Sequence, residues 1–436
     1  MATNSSQRLG GDDPVAIVAG VRTPFARAWT VFKDWTEADL GRQAVAELVN
    51  RVDLDPELID ELIFGCVSAP MDGPNVAREI VLRSQLPQHI PASTVQMYCA
   101  SSAAAAMQGI NSLLVGTSQV VVAGGVEAMS AARARYSLSL THALRDLGGA
   151  KNMPARLKAL GALTSANLKP ETPAIEEPTT GRSMGESAEE MAKEYGISRE
   201  EQDAYAETTH HRAAAAVEEG FMPEVMTVLV GEKFNEAVES DPMIRPDTTQ
   251  EKMAKLRPVF DRQNGTVTAA NSSPLTDGAS AVMLMRKSTA ERLGLTPMAY
   301  IRSYAQVGID IQKHNLLLGP TLATPIAFDR AGVTLKDMDL VDMHEAFAAQ
   351  VLANLKIWSN KSLCEGLGLD KAIGEVDRDT FNVNGGSIPL GHPFGATGAR
   401  MIMQLAGELE RRDKNLGLLT MCAAGGLGLS MVLERS

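Results

Sequence analysis

Short apolar runs alternate with helically spaced faces along the first third of the chain. Residues 15–19 (VAIVA) stop at Gly20 and predict a buried strand. Residues 38–50 place Leu40, Ala44, Leu48 and Val49 on one face, the stripe of an amphipathic helix. Residues 56–60 open a short helix, residues 62–67 read as the next strand, and residues 70–83 begin as a loop and turn helical near Val76. That order predicts a βαβ layout.

The pattern is densest at residues 93–127, STVQMYCASSAAAAMQGINSLLVGTSQVVVAGGVE, where no Asp, Glu, Lys or Arg occurs between Arg83 and Glu127. Gln96, Ser101, Ser102, Gln108, Asn111 and Ser112 argue against a membrane span there. A strand near 93–98, a helix over 100–114 and a valine-rich strand at 119–123 fit better. Cys99 then lies where strand gives way to helix. Free backbone N–H groups and the positive helix end favour a thiolate at such a point. By itself the residue reads more readily as an inert core cysteine.

Strand signals vanish between Ser130 and about Arg245, giving way to charged helical periodicity at 186–196 and 198–219. This stretch is expected to be an inserted, mostly helical domain. Within it, residues 131–170 hold Arg133, Arg135, Arg145, Lys151, Arg156, Lys158 and Lys169 against Asp146 alone. The excess reads either as a solvated helix face or as a surface for an anionic partner. Strand-like sequence returns at 265–270 and 279–285, followed by a linker rich in breakers at 286–297.

The last 140 residues then repeat the first 125. Asp55-Pro-Glu-Leu-Ile-Asp60 before an apolar strand matches Thr334-Leu-Lys-Asp-Met-Asp339 before another. The helix after Cys99 and the strand ending in Gly124-Gly125 match a helix after Pro393 and a strand running into Gly425-Gly426. Two similar α/β halves are expected to deliver their loops to one shared face.

Three features of the second half carry candidate chemistry. His392 lies in the glycine-dense run 382–398 (NVNGGSIPLGHPFGATG), Cys422 heads Cys-Ala-Ala-Gly-Gly, and His344 opens His-Glu-Ala-Phe at a strand end. Singly, each has a plain structural reading: a turn cap, a core thiol, a satisfied buried histidine.

Composition narrows the class. With 436 residues there is core for two or three domains. A net charge of −12 without a dominant basic tract excludes nucleic acid as an expected partner. Cys66, Cys99, Cys364 and Cys422 have no CxxC or zinc spacing, which points to a reducing compartment. Residues 1–13 resemble neither a secretory signal nor a transit peptide, so a cytoplasmic protein is expected.

Taken together the motifs resemble the thiolase family, over nearly the whole chain. The matching segments are Val21-Arg-Thr-Pro-Phe25, the Cys99 stretch, Gly124-Gly-Val-Glu-Ala-Met-Ser130, Met184-Gly185 and Gln202-Asp203. Arg245 with Thr248-Thr249, Leu256-Arg-Pro-Val-Phe260, residues 265–273 and Asp277-Gly-Ala279 follow, before HEAFA, GHPFGATG and CAAGG. His344 and the basic insertion look like the thiolase (beta) subunit of a trifunctional-type fatty-acid β-oxidation complex.

The resemblance implies an α/β thiolase-like fold, with two duplicated βαβαβ halves forming a layered α/β/α/β/α core and an inserted loop domain. The expected boundaries are 1–129 with 246–290, 130–245, and 291–436. It implies cleavage of 3-ketoacyl-CoA by CoA, with Cys99 as nucleophile, His392 as base and Cys422 as the acid for the departing acetyl-CoA carbanion. His344, where the family more often has Asn, would share one oxyanion hole with His392, and the backbone N–H groups of Cys99 and Ala424 would form a second. Arg245 and Ser273 would contact CoA. No permanently bound cofactor and no metal are expected, with CoA and acyl-CoA as substrates. A homodimer core within a heterotetramer with a hydratase/dehydrogenase alpha subunit is expected, with possible membrane contact through 131–170. Ala424 stands where many members have Gly, and Pro389 where a small residue is common. A biosynthetic acetoacetyl-CoA thiolase or other condensing enzyme, and a non-catalytic acyl-CoA-binding subunit, are the rival readings.

Overall fold

The structure, a computed structural model, describes residues 8–133, 136–161, 163 and 176–435. Valine-rich and β-branched runs supply a ten-stranded sheet that is buried along almost its whole length. Its two ends are built alike. In the first half, Val15–Arg22 pairs antiparallel with Thr276–Arg286, which pairs antiparallel with Val120–Ala128. That strand lies parallel to Glu61–Gly65, which lies parallel to the edge strand Ala92–Val95. In the second half, Ala299–Gly308, Leu427–Glu434, Leu416–Ala423 and Leu340–Met343 repeat the same order and directions. The fifth strand shrinks there to a single parallel bridge between Val341 and Phe381. The halves join through two residue pairs, Ala16 with Tyr300 and Ile17 with Ala299.

Helices fill the layers around and between the halves. Ser101–Val115 and Thr397–Arg411 lie back to back in one apolar cluster that takes Ile110, Val121 and Leu284 from one half and Met401, Leu405 and Leu419 from the other. Outside this, the helix Glu37–Val52 buries Leu40, Ala44, Leu48 and Val49, as its spacing predicts. The matching outer layer of the second half centres on Phe328, Trp358 and Phe381. This is the α/β/α/β/α layering expected from the duplication.

Two local expectations fail. Residues 265–270 are not a strand, because Asn271 turns back to accept from the Thr268 N–H at 2.7 Å. The strand begins at Thr276 instead. The stretch read as a linker at 286–297 contains the helix Lys287–Leu293, closed by Gly294 in the left-handed region. The insertion is mostly helical, with Met184–Tyr195 and Arg199–Glu218 as its main helices and two small hairpins besides. It is tied to the first strand by buried Arg22, which donates to both oxygens of Asp241 at 2.7 and 2.8 Å. Among the described residues, no helix is long and apolar enough to cross a membrane.

Candidate active site

Strand Ala92–Val95 leads into a tight turn, Tyr98–Ala100, before the helix Ser101–Val115 begins. Tyr98 holds φ at +47°, a conformation that costs a residue with a side chain about 1–2 kcal/mol. Ser101 fastens the turn, its hydroxyl donating to the Tyr98 carbonyl at 2.6 Å and accepting from the Met97 N–H at 2.8 Å. Cys99 is thereby lifted out of the sheet. Of the four free cysteines it alone is part-exposed, and it opens into a cavity of about 1010 Å³.

The second half meets it there. His392 and Cys422 line the same cavity, with Ser273 and Ala424 beside them. Cys422 lies buried near the end of its strand, close enough to Cys99 for that thiol to disfavour its ionisation. The N–H groups of Ala424 and of Cys99 itself both reach the Cys99 sulfur. Two donors aimed at that sulfur also face the place where an oxygen on an attached carbon would develop charge.

The close fit of the halves depends on absent side chains. A Cβ on Gly125 would lie 1.9 Å from the Gly395 carbonyl oxygen, and one on Gly395 would lie 2.2 Å from that of Val126. Buried Glu127 clamps the junction by accepting from the N–H groups of Val67, Ser68 and Gly395 and from the Ser68 hydroxyl. The His392 N–H donates across the junction to Thr276 at 3.0 Å.

His344 follows the strand Leu340–Met343 and lies against His392, the ring centroids 4.2 Å apart. Its neighbour Glu345 accepts from Tyr205 (2.6 Å), Thr209 (2.9 Å) and Asn382 (2.8 Å), fixing the segment to the insertion. Cys99 Sγ and one ring nitrogen from each histidine lie within 4.8 Å of one another.

Models of the thiolase N-terminal domain and the thiolase C-terminal domain match residues 15–288 and 295–435. The chain belongs to the thiolase family. It is 50% identical over 424 residues to a 3-ketoacyl-CoA thiolase of Yersinia enterocolitica, covering 97% of each chain. A 3-ketoacyl-CoA thiolase of Photorhabdus laumondii is also 50% identical, over 423 residues and 97% of each chain. Among solved structures, the Bacillus anthracis acetyl-CoA acetyltransferase superposes with a TM-score of 0.83 at 32% identity, covering 99% of this chain and all of that one. Human mitochondrial 3-ketoacyl-CoA thiolase in complex with CoA gives 0.82 at 31% identity, again covering 99% and 100%.

In this thiolase, hydrogen-bond direction separates the two histidines. Thr397 gives its hydroxyl proton to the Pro393 carbonyl at 3.0 Å, so at 2.7 Å it accepts from His392 Nδ1–H. His392 Nε2 therefore carries a lone pair, the state of a base. Ser387 accepts from Arg400 at 3.1 Å, and among the described contacts the acceptor its own proton reaches is His344 Nδ1, at 3.0 Å. His344 Nε2 therefore carries the proton, the state of a donor. Both Nε2 atoms are buried and lack a protein partner.

Burial also decides charge. It pushes the His392 imidazole down to about 3, assisted by the nearby Arg400 guanidinium. His344 is lowered for the same reason, with His392 and then Arg400 adding to it. The Cys99 thiol is pushed up to about 12 by loss of water, against the opposing pull of the two N–H groups. The donors that favour a thiolate at a helix start are present, but desolvation outweighs them. The resting pair is a neutral thiol beside a neutral imidazole.

Of the two positions expected to meet CoA, Ser273 lines the cavity and Arg245 does not, lying on an exposed stretch of the insertion. Arg135 and Lys169 of the basic segment lie outside the described residues. Sequence reasoning missed Thr397, Ser387, Arg400 and Glu127 as supporting groups. Thr397, Ser387 and Glu127 stand inside recognisable motifs, but nothing in a motif shows which atom donates to which.

Proposed function

We propose that this chain is a degradative 3-ketoacyl-CoA thiolase, an acetyl-CoA C-acyltransferase of fatty-acid β-oxidation. The observation that carries the reading is the convergence of two thiols, one from each half, on a histidine whose free nitrogen is a base. Its similarity to the two bacterial 3-ketoacyl-CoA thiolases supports the same activity.

Cys99 Sγ attacks C3 of the substrate as its proton passes to His392 Nε2, and the N–H groups of Cys99 and Ala424 take the oxyanion. The C2–C3 bond then breaks, its electron pair moving into an acetyl-CoA enolate whose oxygen faces the protonated Nε2 atoms of His344 and His392. Cys422 delivers a proton to C2. Incoming CoA attacks the acyl-Cys99 thioester, and its thiol proton replaces the one carried away on acetyl-CoA, so the site regains its starting charge. A condensing enzyme that decarboxylates malonyl thioesters has no use for a second thiol at this floor, which favours thiolysis over that rival.

CoA is the one dissociable cosubstrate of this reading, with Ser273 along the pantetheine path and Arg245 outside it for the charged nucleotide end. A cytoplasmic homodimer core that joins a hydratase/dehydrogenase subunit fits the exposed basic helix Met153–Gly161 and the neighbouring helix Leu138–Gly149. Their exposed Leu144, Met153, Leu157 and Leu160 add an apolar component to that face.

The decisive assay follows CoA-dependent loss of 3-ketoacyl-CoA absorbance in wild type and Cys99→Ala, with mass spectrometry for acyl-Cys99. Equal rates in the two proteins, or acylation elsewhere, would overturn the mechanism.

A further inference from the structure

Beside Cys99 the Nε2 atoms of His344 and His392 are buried and unpartnered, and one ring nitrogen of each histidine lies within 4.8 Å of the Cys99 sulfur. Their outer nitrogens are each held by a hydroxyl, Thr397 for His392 and Ser387 for His344. His392, donating Nδ1–H to Thr397, already has the arrangement of a metal-ligating histidine, anchored through the ring nitrogen that does not bind the ion, and His344 reaches it by a shift of its proton to Nδ1.

We propose that Cys99, His344 and His392 also form a reversible zinc site, with Zn2+ held by Cys99 Sγ and both Nε2 atoms and with water in the fourth position. Tetrahedral zinc, with bonds of about 2.3 Å to sulfur and 2.0–2.1 Å to nitrogen, needs ligand atoms roughly 3.3–3.6 Å apart. The three atoms lie within 4.8 Å of one another, so side-chain rotation closes the set. One sulfur and two imidazoles suit a borderline-soft ion and do not suit Mg2+ or Ca2+, which take oxygen ligands. On binding, the thiol proton leaves to solvent. The His344 proton moves from Nε2 to Nδ1, and the Ser387 hydroxyl rotates its own proton away so that its oxygen accepts from Nδ1–H. The Arg400 charge opposes a cation here, but it is set behind Ser387 and faces Asp342 at 3.7 Å. The new thiolate offsets it.

Such an ion occupies nucleophile and base together, so zinc acts as an inhibitor that competes with acyl-CoA. The chain's sequence shows no metal spacing, since the ligands stand at 99, 344 and 392. The site exists only in the folded molecule.

The test is made by binding, independently of thiolysis. Full-length wild type is titrated with ZnCl2 against a chromophoric chelator, and Cys99 alkylation by iodoacetamide is followed by peptide mass. One equivalent of zinc is expected to bind and to shield Cys99, with EDTA restoring labelling and Mg2+ having no effect. His344→Ala and His344→Asn are expected to weaken binding by more than about tenfold, the loss that even an outer partner causes at such sites. Cobalt(II) added to wild type is expected to give a sulfur-to-metal charge-transfer band that Cys99→Ala abolishes, a readout that stands if the His344 variants fail to fold. Zinc affinity unchanged in folded His344 variants, zinc bound without shielding Cys99, or a cobalt spectrum indifferent to Cys99 would each overturn the proposal.

Discussion

His344 and His392 stand with ring centroids 4.2 Å apart and planes tilted by 51°, yet their inward nitrogens have opposite polarity. His392, on the cavity wall, carries a lone pair there, and His344, packed behind it, carries a proton. The difference originates in the two hydroxyls behind them, because Thr397 must accept where Ser387 must donate. A base and an oxyanion donor are thus made from the same side chain.

Thr397→Val removes the acceptor for His392 Nδ1–H and frees the ring to hold its proton on Nε2. Thiolysis is expected to lose about 100-fold in kcat, at the low end of what a positioned base contributes, while Thr397→Ser retains most of it. A kcat within twofold of wild type in the valine variant would refute the assigned tautomer.

Ser387→Ala leaves His344 Nδ1 without its donor and the Arg400 guanidinium without one acceptor. A fall in kcat of about tenfold or more is expected, with KM little changed, because the His344 N–H acts on charge that develops in the transition state. Stability should fall by about 1–3 kcal/mol from the unsatisfied buried groups, read as a lower urea midpoint. A loss confined to KM would assign Ser387 to substrate binding instead.

Burial holds the Cys99 thiol near 12 in the free protein. Since this lies above the ordinary thiol value, the thiolate fraction at neutral pH is small and grows with pH. Alkylation of Cys99 by iodoacetamide is expected to rise about tenfold per pH unit from pH 7 to 9 without levelling. A plateau by pH 7 would mean a resting thiolate.

Gly125→Ala places a methyl where the Gly395 carbonyl oxygen now lies 1.9 Å away. Backbone is met on both sides of the junction, so relief requires the His392 loop to move. The variant is expected to lose at least about 1–3 kcal/mol and most of its activity, whereas Gly148→Ala, at a helical position with open space around it, should match wild type. Chemical denaturation and the thiolysis assay check both.

Charge reversal at Arg156 and Lys158 tests the exposed basic helix Met153–Gly161 as a docking face. Co-purification with the proposed hydratase/dehydrogenase subunit is expected to weaken and to become less sensitive to salt, with thiolysis by the isolated protein unchanged. An unaltered complex would remove this helix from the interface.

Much of the fold was legible because it is written in local pattern. Apolar runs marked the strands, 3.6-residue spacing marked the helix Glu37–Val52, and the repeated strand–helix order gave two halves. The misreadings were also local. Residues 265–270 have strand composition, but the Asn271 side chain draws them into a turn, and 287–293 form a short helix despite neighbouring breakers.

The sequence by itself determined which chemical groups this thiolase has at hand: two reactive sulfurs, two imidazoles, and the motifs that carry them in order. Tertiary structure alone decided what those groups are. The tautomer of His344 is set by a hydrogen bond with a serine 43 positions away, and Glu127 holds a loop 268 positions away. Proton placement and desolvation depend on such distant neighbours, which no local pattern encodes. That is why the order of residues shows the donors that favour a thiolate at Cys99, whereas desolvation in the folded chain raises the thiol.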